Sequence, residues 1–527
     1  MHKGMEDSSA TLRVIFGDQL DIDSVLLREA DAKCDLIWMA EVEQEITYVP
    51  SHKQRIAFFL SAMRHFRDEL IRRKYRVHYH ELSAQPSCDR ASDFASLLKQ
   101  DIQRYEISRI VVVQPGDYRV AVMLEDVADT CRVELQILED THFYQNIAEF
   151  VGYARGKKSL LLENYYRGMR RKHGILMDRD GQPEGGSWNY DQDNRKSFGK
   201  DVRKLDFHPW KNTPDGTDEA VLRLVDERFA RHPGSLSGFQ LPTTRAGARR
   251  MLRHFIQYGL PKFGTYEDAM LSAEPFTFHS RLSALLNVKL LNPRECVDAA
   301  VAAYHEKRAP LNSVEGFVRQ ILGWREFIRG IYWNFMPEYA DRNFFGCRED
   351  LPELYWTGRT QMNCLKHAMA AVLEYGYAHH IQRLMVLGLF ALLYGVRPRE
   401  FHDWHMAMYV DAVDWVSLPN TLGMSQYGDG GVVGTKPYCA SGNYINKMSD
   451  YCGRCPYKYK EASGEKACPI TTLYWEFLHR HERKLQSNMR LKFAMKGLER
   501  KKADAKEFEL ILKRAKDVRA LVKEAKL

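Results

Sequence analysis

Over the first 140 residues, short apolar runs alternate with stretches whose apolar positions fall three and four apart. Residues 12–16, 36–42, 76–80, 110–114 and 135–138 read as strands, and 52–74 and 93–105 as amphipathic helices. That alternation predicts a doubly wound α/β domain around a parallel sheet. Its ligand crevice is expected at the carboxyl ends of the strands, where Gly17, Asp18 and Gln19 follow the first. No GxGxxG follows that strand, so a dinucleotide fingerprint is absent. From 245 to 480 the periodicity turns helical. Residues 314–332 and 365–377 are amphipathic, and 381–394 is apolar almost all round, as a buried helix would be. The stretch between is irregular and rich in Gly, Asn, Asp and Arg, and its run 185–191 is unsuited to a helix interior. The expected organisation is an α/β domain over 1–144, a connection over 145–244, an all-α domain over 245–480, and a charged helical extension over 481–527, read as a solvated face with a DNA arm as the alternative.

Composition changes this picture little. A chain of 527 residues exceeds one ordinary core. It holds no run of about 18 apolar residues, and residues 1–9 lack an apolar signal core, so no membrane span and a cytoplasmic address are expected. The net charge of +8 fits a polyanionic partner held through phosphate contacts, and equally a generally basic enzyme. Arg167, Arg170, Arg171, Lys172, Arg195 and Lys196 crowd around the 185–191 run, either as a phosphate-touching strip or as a solvated linker.

The cysteines carry the sharpest local signal. Cys452 and Cys455 form a CxxC turn, Cys468 follows, and Cys455 and Cys468 each precede a proline. A fourth ligand is required, with Cys439 and Cys364 as candidates. Spacing chooses neither between them nor between zinc and a four-iron cluster, since both accept four thiolates.

The helical half contains Glu315-Gly-Phe-Val-Arg319-Gln320-Ile-Leu-Gly-Trp324-Arg325-Glu326-Phe327, which resembles the WREF signature of the photolyase and cryptochrome family. Ser280-Arg281-Leu282-Ser283 resembles that family's grip on the FAD pyrophosphate, and Gln320 and Arg325 belong to the same flavin-binding domain. Asp411, Asp414 and Asn420 resemble the acidic pair and asparagine beside the flavin ring, with Asn420 facing N5 and Arg383 as partner of the carboxylates. Gly17–Leu20, Tyr48 through Lys53, the 185–191 run and the cysteines narrow the match to the bacterial iron–sulfur group of cryptochromes and (6-4) photolyases. That resemblance covers essentially the whole chain and selects Cys364, Cys452, Cys455 and Cys468 as [4Fe-4S] ligands.

The resemblance implies light-driven repair of (6-4) photoproducts in ultraviolet-damaged DNA by a monomeric bacterial protein. The lesion must be flipped out to reach the flavin. Repair also needs a proton, which His380 would give with His379 in support, because histidine titrates near neutrality. Tyr438 would line the lesion pocket, and Trp404 and Trp356 would pass electrons to the flavin. His405 and Ser417 stand where relatives can carry tyrosine and an acidic residue. A lumazine antenna, 6,7-dimethyl-8-ribityllumazine, would sit among Asp18, Glu41, Tyr48 and Lys53. One rival is a blue-light cryptochrome with the same cofactors. A second is an iron–sulfur nucleic-acid-binding protein resembling the large subunit of primase, against which the WREF and SRLS segments argue.

Overall fold

Five short strands pair into one sheet in the computed structural model, which describes residues 10–157, 159–199, 202 and 205–527. The polar stretch 1–9 lies outside the described residues. The strands are β1 (Ala10–Val14), β2 (Leu36–Ala40), β3 (Arg76–His80), β4 (Ile107–Val113) and β5 (Glu134–Leu138). Their order is β3-β2-β1-β4-β5 and every pair is parallel, the doubly wound arrangement that the alternation predicts. Leu12, Val14, Ile110 and Val112 are fully buried because helices cover both faces. Arg13 survives inside this sheet because Asp35 takes its Nε at 2.5 Å and the carbonyls of Leu26 and Glu29 take its terminal nitrogens.

Helix Lys53–Arg72 ties the sheet to the helical half. Its cap, His52, accepts from Gln54 N through Nδ1 and donates through Nε2 to Leu373 O, 3.0 Å away. Burial lowers the His52 pKa to about 4, so the neutral ring serves both bonds. Gly234 is required beside it, since a Cβ there would lie 1.9 Å from His52 Nε2.

The helical half departs from its periodicity at informative places. The stretch 314–332 divides into Leu311–Val318, a wide π turn at Arg319–Arg325, and Glu326–Phe335. The stretch 381–394 carries a second π turn at Arg383–Leu387, and Asn420 lies on a third at Pro419–Ser425. Such turns re-aim side chains and cluster at functional sites. The extension is more than a solvated face. Helices Lys492–Ala503 and Ala505–Lys523 bury Leu498, Ile511, Ala515 and Val518 in a core shared with Leu473 and Phe477.

The basic strip is largely spent on the protein itself. Arg170 is fully buried and donates to the carbonyls of Ile175, Leu176 and Trp188, while Arg167 pairs with Glu163 and Lys172 with Glu149. Arg195 keeps 64% of its side chain exposed, at 3.8 Å from Asp191. The 185–191 run docks on the WREF helix. Tyr190 N donates to Glu315, Asp191 pairs with Arg319, and a side chain at Gly185 would strike Tyr190 and Leu311.

Candidate active site

Arg383, at the start of its π turn, reaches back to donate to Ala378 O and forward to both oxygens of Asp411, at 3.1 Å each. Ser283 donates to the same carboxylate at 2.7 Å, and Asn287 holds the Asp411 carbonyl. Asp414 is not part of this pair. Helix Asp414–Leu418 begins after an extended Val413, which swings the second carboxylate away to His402 Nε2 at 2.9 Å and the Tyr332 hydroxyl.

Arg281 adopts φ +56° and stacks its guanidinium 3.7 Å from the Phe276 ring centroid. Burial lowers its pKa to about 10, and Nη1 has no hydrogen-bond partner among the described residues. A buried, unpaired cation beside Ser280 and Ser283 suits an anionic ligand, and the flavin pyrophosphate fits this donor set. Leu282 is a core residue under the turn. Arg325 lies elsewhere. It packs against Phe143 and Trp415, with Glu326 3.7 Å from Nη1. Asn420 donates to Val416 O rather than to the Arg383–Asp411 pair.

His379 and His380 open a short helix and behave differently. His379 caps it, accepting from Ile381 N, and stacks on His279 with ring centroids 4.5 Å apart. Burial, then His279 and His380, hold the His379 pKa well below the ordinary value, and its Nε2 has no partner. His380 leaves 45% of its side chain accessible, 3.5 Å from Asp268. Burial opposes its charge, but Asp268 and Glu267 outweigh that, so its pKa is raised. One histidine is held neutral and the other is favoured as the acid. Gln320 joins this group through Glu267, at 3.0 Å, with Asn194 on the other oxygen.

Tyr438 is half-buried. Burial raises its phenol pKa, with the Arg195 and Arg490 guanidiniums acting against it. Trp404 is fully buried, its indole N–H on Tyr355 O and its ring 5.6 Å from Tyr409. Tyr409 in turn lies under the Arg383 guanidinium at 3.9 Å, so an aromatic path runs from that pair to Trp404. Trp356 follows Tyr355 and is partly exposed. Tyr409, His279, Glu267 and Asp268 were not among the residues singled out from the sequence. His279 adjoins the SRLS segment and Tyr409 stands two residues before Asp411, while Glu267 and Asp268 adjoin no motif.

Cys364, Cys452, Cys455 and Cys468 line one small cavity, and Cys439 does not. Asn363 donates to Tyr451 O, which fixes the helix bearing Cys364 against the CxxC turn. Four converging thiols, partly closed off by Tyr451, Tyr457 and Ile470, match a four-thiolate metal centre.

A larger cavity opens at the carboxyl ends of β1, β2 and β4, lined by Asp18, Glu41, Tyr48, Asp117 and also Asp414. Glu41 lends only wall, because Arg64, Tyr79 and Leu82 N occupy both its oxygens. Lys53 lies outside, its helix start aiming it at Asp226, 3.7 Å away. Burial and then the Asp414 charge push Asp117 up to about 7. Gly116 closes the floor, since a Cβ there would meet Asp18 at 2.2 Å and Trp415 at 3.0 Å. Gly116→Val should therefore destabilise the protein by about 1–3 kcal/mol, read as a lower denaturation midpoint. An unchanged midpoint would refute the packing.

Residues 13–241 match the sequence profile of a family described as deoxyribodipyrimidine photo-lyase-related protein. A (6-4) photolyase of Agrobacterium fabrum is 46% identical over 480 residues, spanning 91% of this chain and 94% of that protein. The fold is similar to a bacterial class III photolyase from Agrobacterium tumefaciens (TM-score 0.54, 15% identity, 84% and 86% of the two chains). It is also similar to a cryptochrome from Synechocystis (TM-score 0.52, 13% identity, 83% and 88% of the two chains).

Proposed function

The chain belongs to the photolyase and cryptochrome family, and from that premise we propose that it repairs (6-4) photoproducts in DNA under light. The observation that carries the reading is the split histidine pair, which a light sensor does not need. His380 is accessible and biased towards its protonated form, while His379 is buried and neutral. Arg281, Ser280, Ser283, Arg383 and Asp411 would hold FAD, which when bound, reduced and illuminated supplies the electron. Around it, His380 donates the proton that returns the transferred hydroxyl, and Asp268 positions its ring and keeps it charged. His279 and His379 present a stacked, uncharged wall. Tyr438 and the neighbouring Tyr444 offer aromatic faces to a flipped base. The thiols of Cys364, Cys452, Cys455 and Cys468 would hold an iron–sulfur cluster, and the cavity at Asp18 and Asp117 a lumazine antenna.

The test is illumination of the reduced protein, purified in the dark, with defined (6-4) and cyclobutane lesions. Repair of the (6-4) lesion supports the proposal, whereas flavin photoreduction with neither lesion repaired moves the reading to a photoreceptor. The protonation has its own signature. A raised His380 pKa means that the acid is present below that value and is lost as pH rises through it. Asp268→Asn removes its hydrogen bond and its share of the raising charge, leaving Glu267 alone against burial and Arg383. The alkaline limb of the repair rate should move down by about one pH unit or more. An unmoved limb would exclude Asp268 from this role.

A further inference from the structure

The extension beyond 481 carries a surface that neither the flavin chemistry nor the core explains. Met489 and Phe493 are the most exposed large apolar side chains among the described residues, at 78% and 89%. They stand four residues apart, where the turn Met489–Leu491 runs into helix Lys492–Ala503. Their neighbours Leu491, Met495 and Leu498 are buried. Arg490, Lys492 and Lys496 flank the exposed pair along the chain and are exposed themselves. An apolar pair interleaved with cations does not suit a purely apolar partner. It does suit a polyanion whose interior is apolar, which is a nucleic-acid duplex.

The place of this surface connects it to the active site. Asn488 donates to Thr435 O at 3.1 Å, fastening the extension to the loop that leads to Tyr438. Arg490 from the extension and Arg195 from the connection both act on the Tyr438 phenol. The apolar pair therefore stands beside the entrance through which a flipped base would pass.

We propose that Met489 and Phe493 form a wedge that enters the DNA duplex next to the extruded lesion and fills the stack it vacates, with Arg490, Lys492 and Lys496 on the flanking phosphates. The proposal rests on the repair reading above. Extruding a base leaves an unstacked gap, and inserted Phe and Met side chains stabilise unstacked steps in other duplex-bending proteins. A single-stranded lesion has no such gap, so the wedge acts on duplex alone.

The test uses the full-length holoprotein in the dark and the double variant Met489→Ala, Phe493→Ala. The probes are a (6-4)-lesion duplex with 2-aminopurine opposite the lesion's neighbour, and the same lesion strand unpaired. Duplex affinity should fall about tenfold or more and the 2-aminopurine brightening should be lost. Affinity for the single strand should hold, and Phe493→Trp should retain duplex binding. Unchanged duplex binding, or equal loss on both substrates, overturns the wedge alone. Wild-type protein that binds neither substrate overturns the repair reading and the wedge with it.

Discussion

His380→Ala is expected to lower light-driven repair of a (6-4) lesion by about 10²- to 10⁴-fold, the usual contribution of a positioned proton donor. Flavin photoreduction and lesion binding should persist. The side chain is accessible and makes one polar contact, to Asp268 at 3.5 Å, so its removal leaves no buried partner stranded. His379→Ala makes the contrast. That ring caps the helix through Ile381 N and stacks on His279, so its loss should cost about 1 kcal/mol of stability as well as activity. Repair and melting, measured on both variants, separate the roles. A His380→Ala protein that repairs at the wild-type rate would remove the acid assignment, and a stable but inactive His379→Ala protein would exchange the two.

Much of the fold was legible because its signals are local. The strands of the sheet show as short segments alternating with helical periodicity, most clearly the β-branched run of β4, and the crevice after β1 follows from the winding rule. What was not legible depends on backbone direction. Asp411 and Asp414 are three residues apart, yet extended Val413 sends one to Arg383 and the other to His402 in the cavity facing the sheet. Arg170 looks like a surface cation in sequence, but Ile175, Leu176 and Trp188 supply three carbonyls only once the chain has turned back. The π turns leave no periodicity signal, because one extra residue per turn blurs the 3.6 repeat without breaking it. The partners of His380 come from Glu267 and Asp268, more than a hundred residues upstream.

The cysteines are likewise brought together from distant parts of the chain. If the four thiols hold the proposed iron–sulfur cluster, Cys364→Ser should lose its visible absorption and most bound iron, whereas Cys439→Ser should retain both. Cys364 lines the cavity with Cys452, Cys455 and Cys468, while Cys439 lies outside it. A structural metal centre contributes on the order of 10 kcal/mol of folding free energy, comparable with the net stability of a whole domain. Loss of the cluster should therefore reach the active site as well as the iron content. Tyr451, next to Cys452, accepts from Asn363 through its carbonyl and from Gln382 through its hydroxyl at 2.9 Å. Gln382 in turn closes the cap of His379, accepting its N–H at 3.1 Å. The thiol cavity thus braces the turn that presents His380, and soluble Cys364→Ser protein should repair more slowly even where its flavin content is unchanged. Iron analysis and single-turnover repair on both serine variants test this. Equal iron in Cys364→Ser, or its loss in Cys439→Ser, would overturn the ligand set, and full repair by cluster-free protein would overturn the brace.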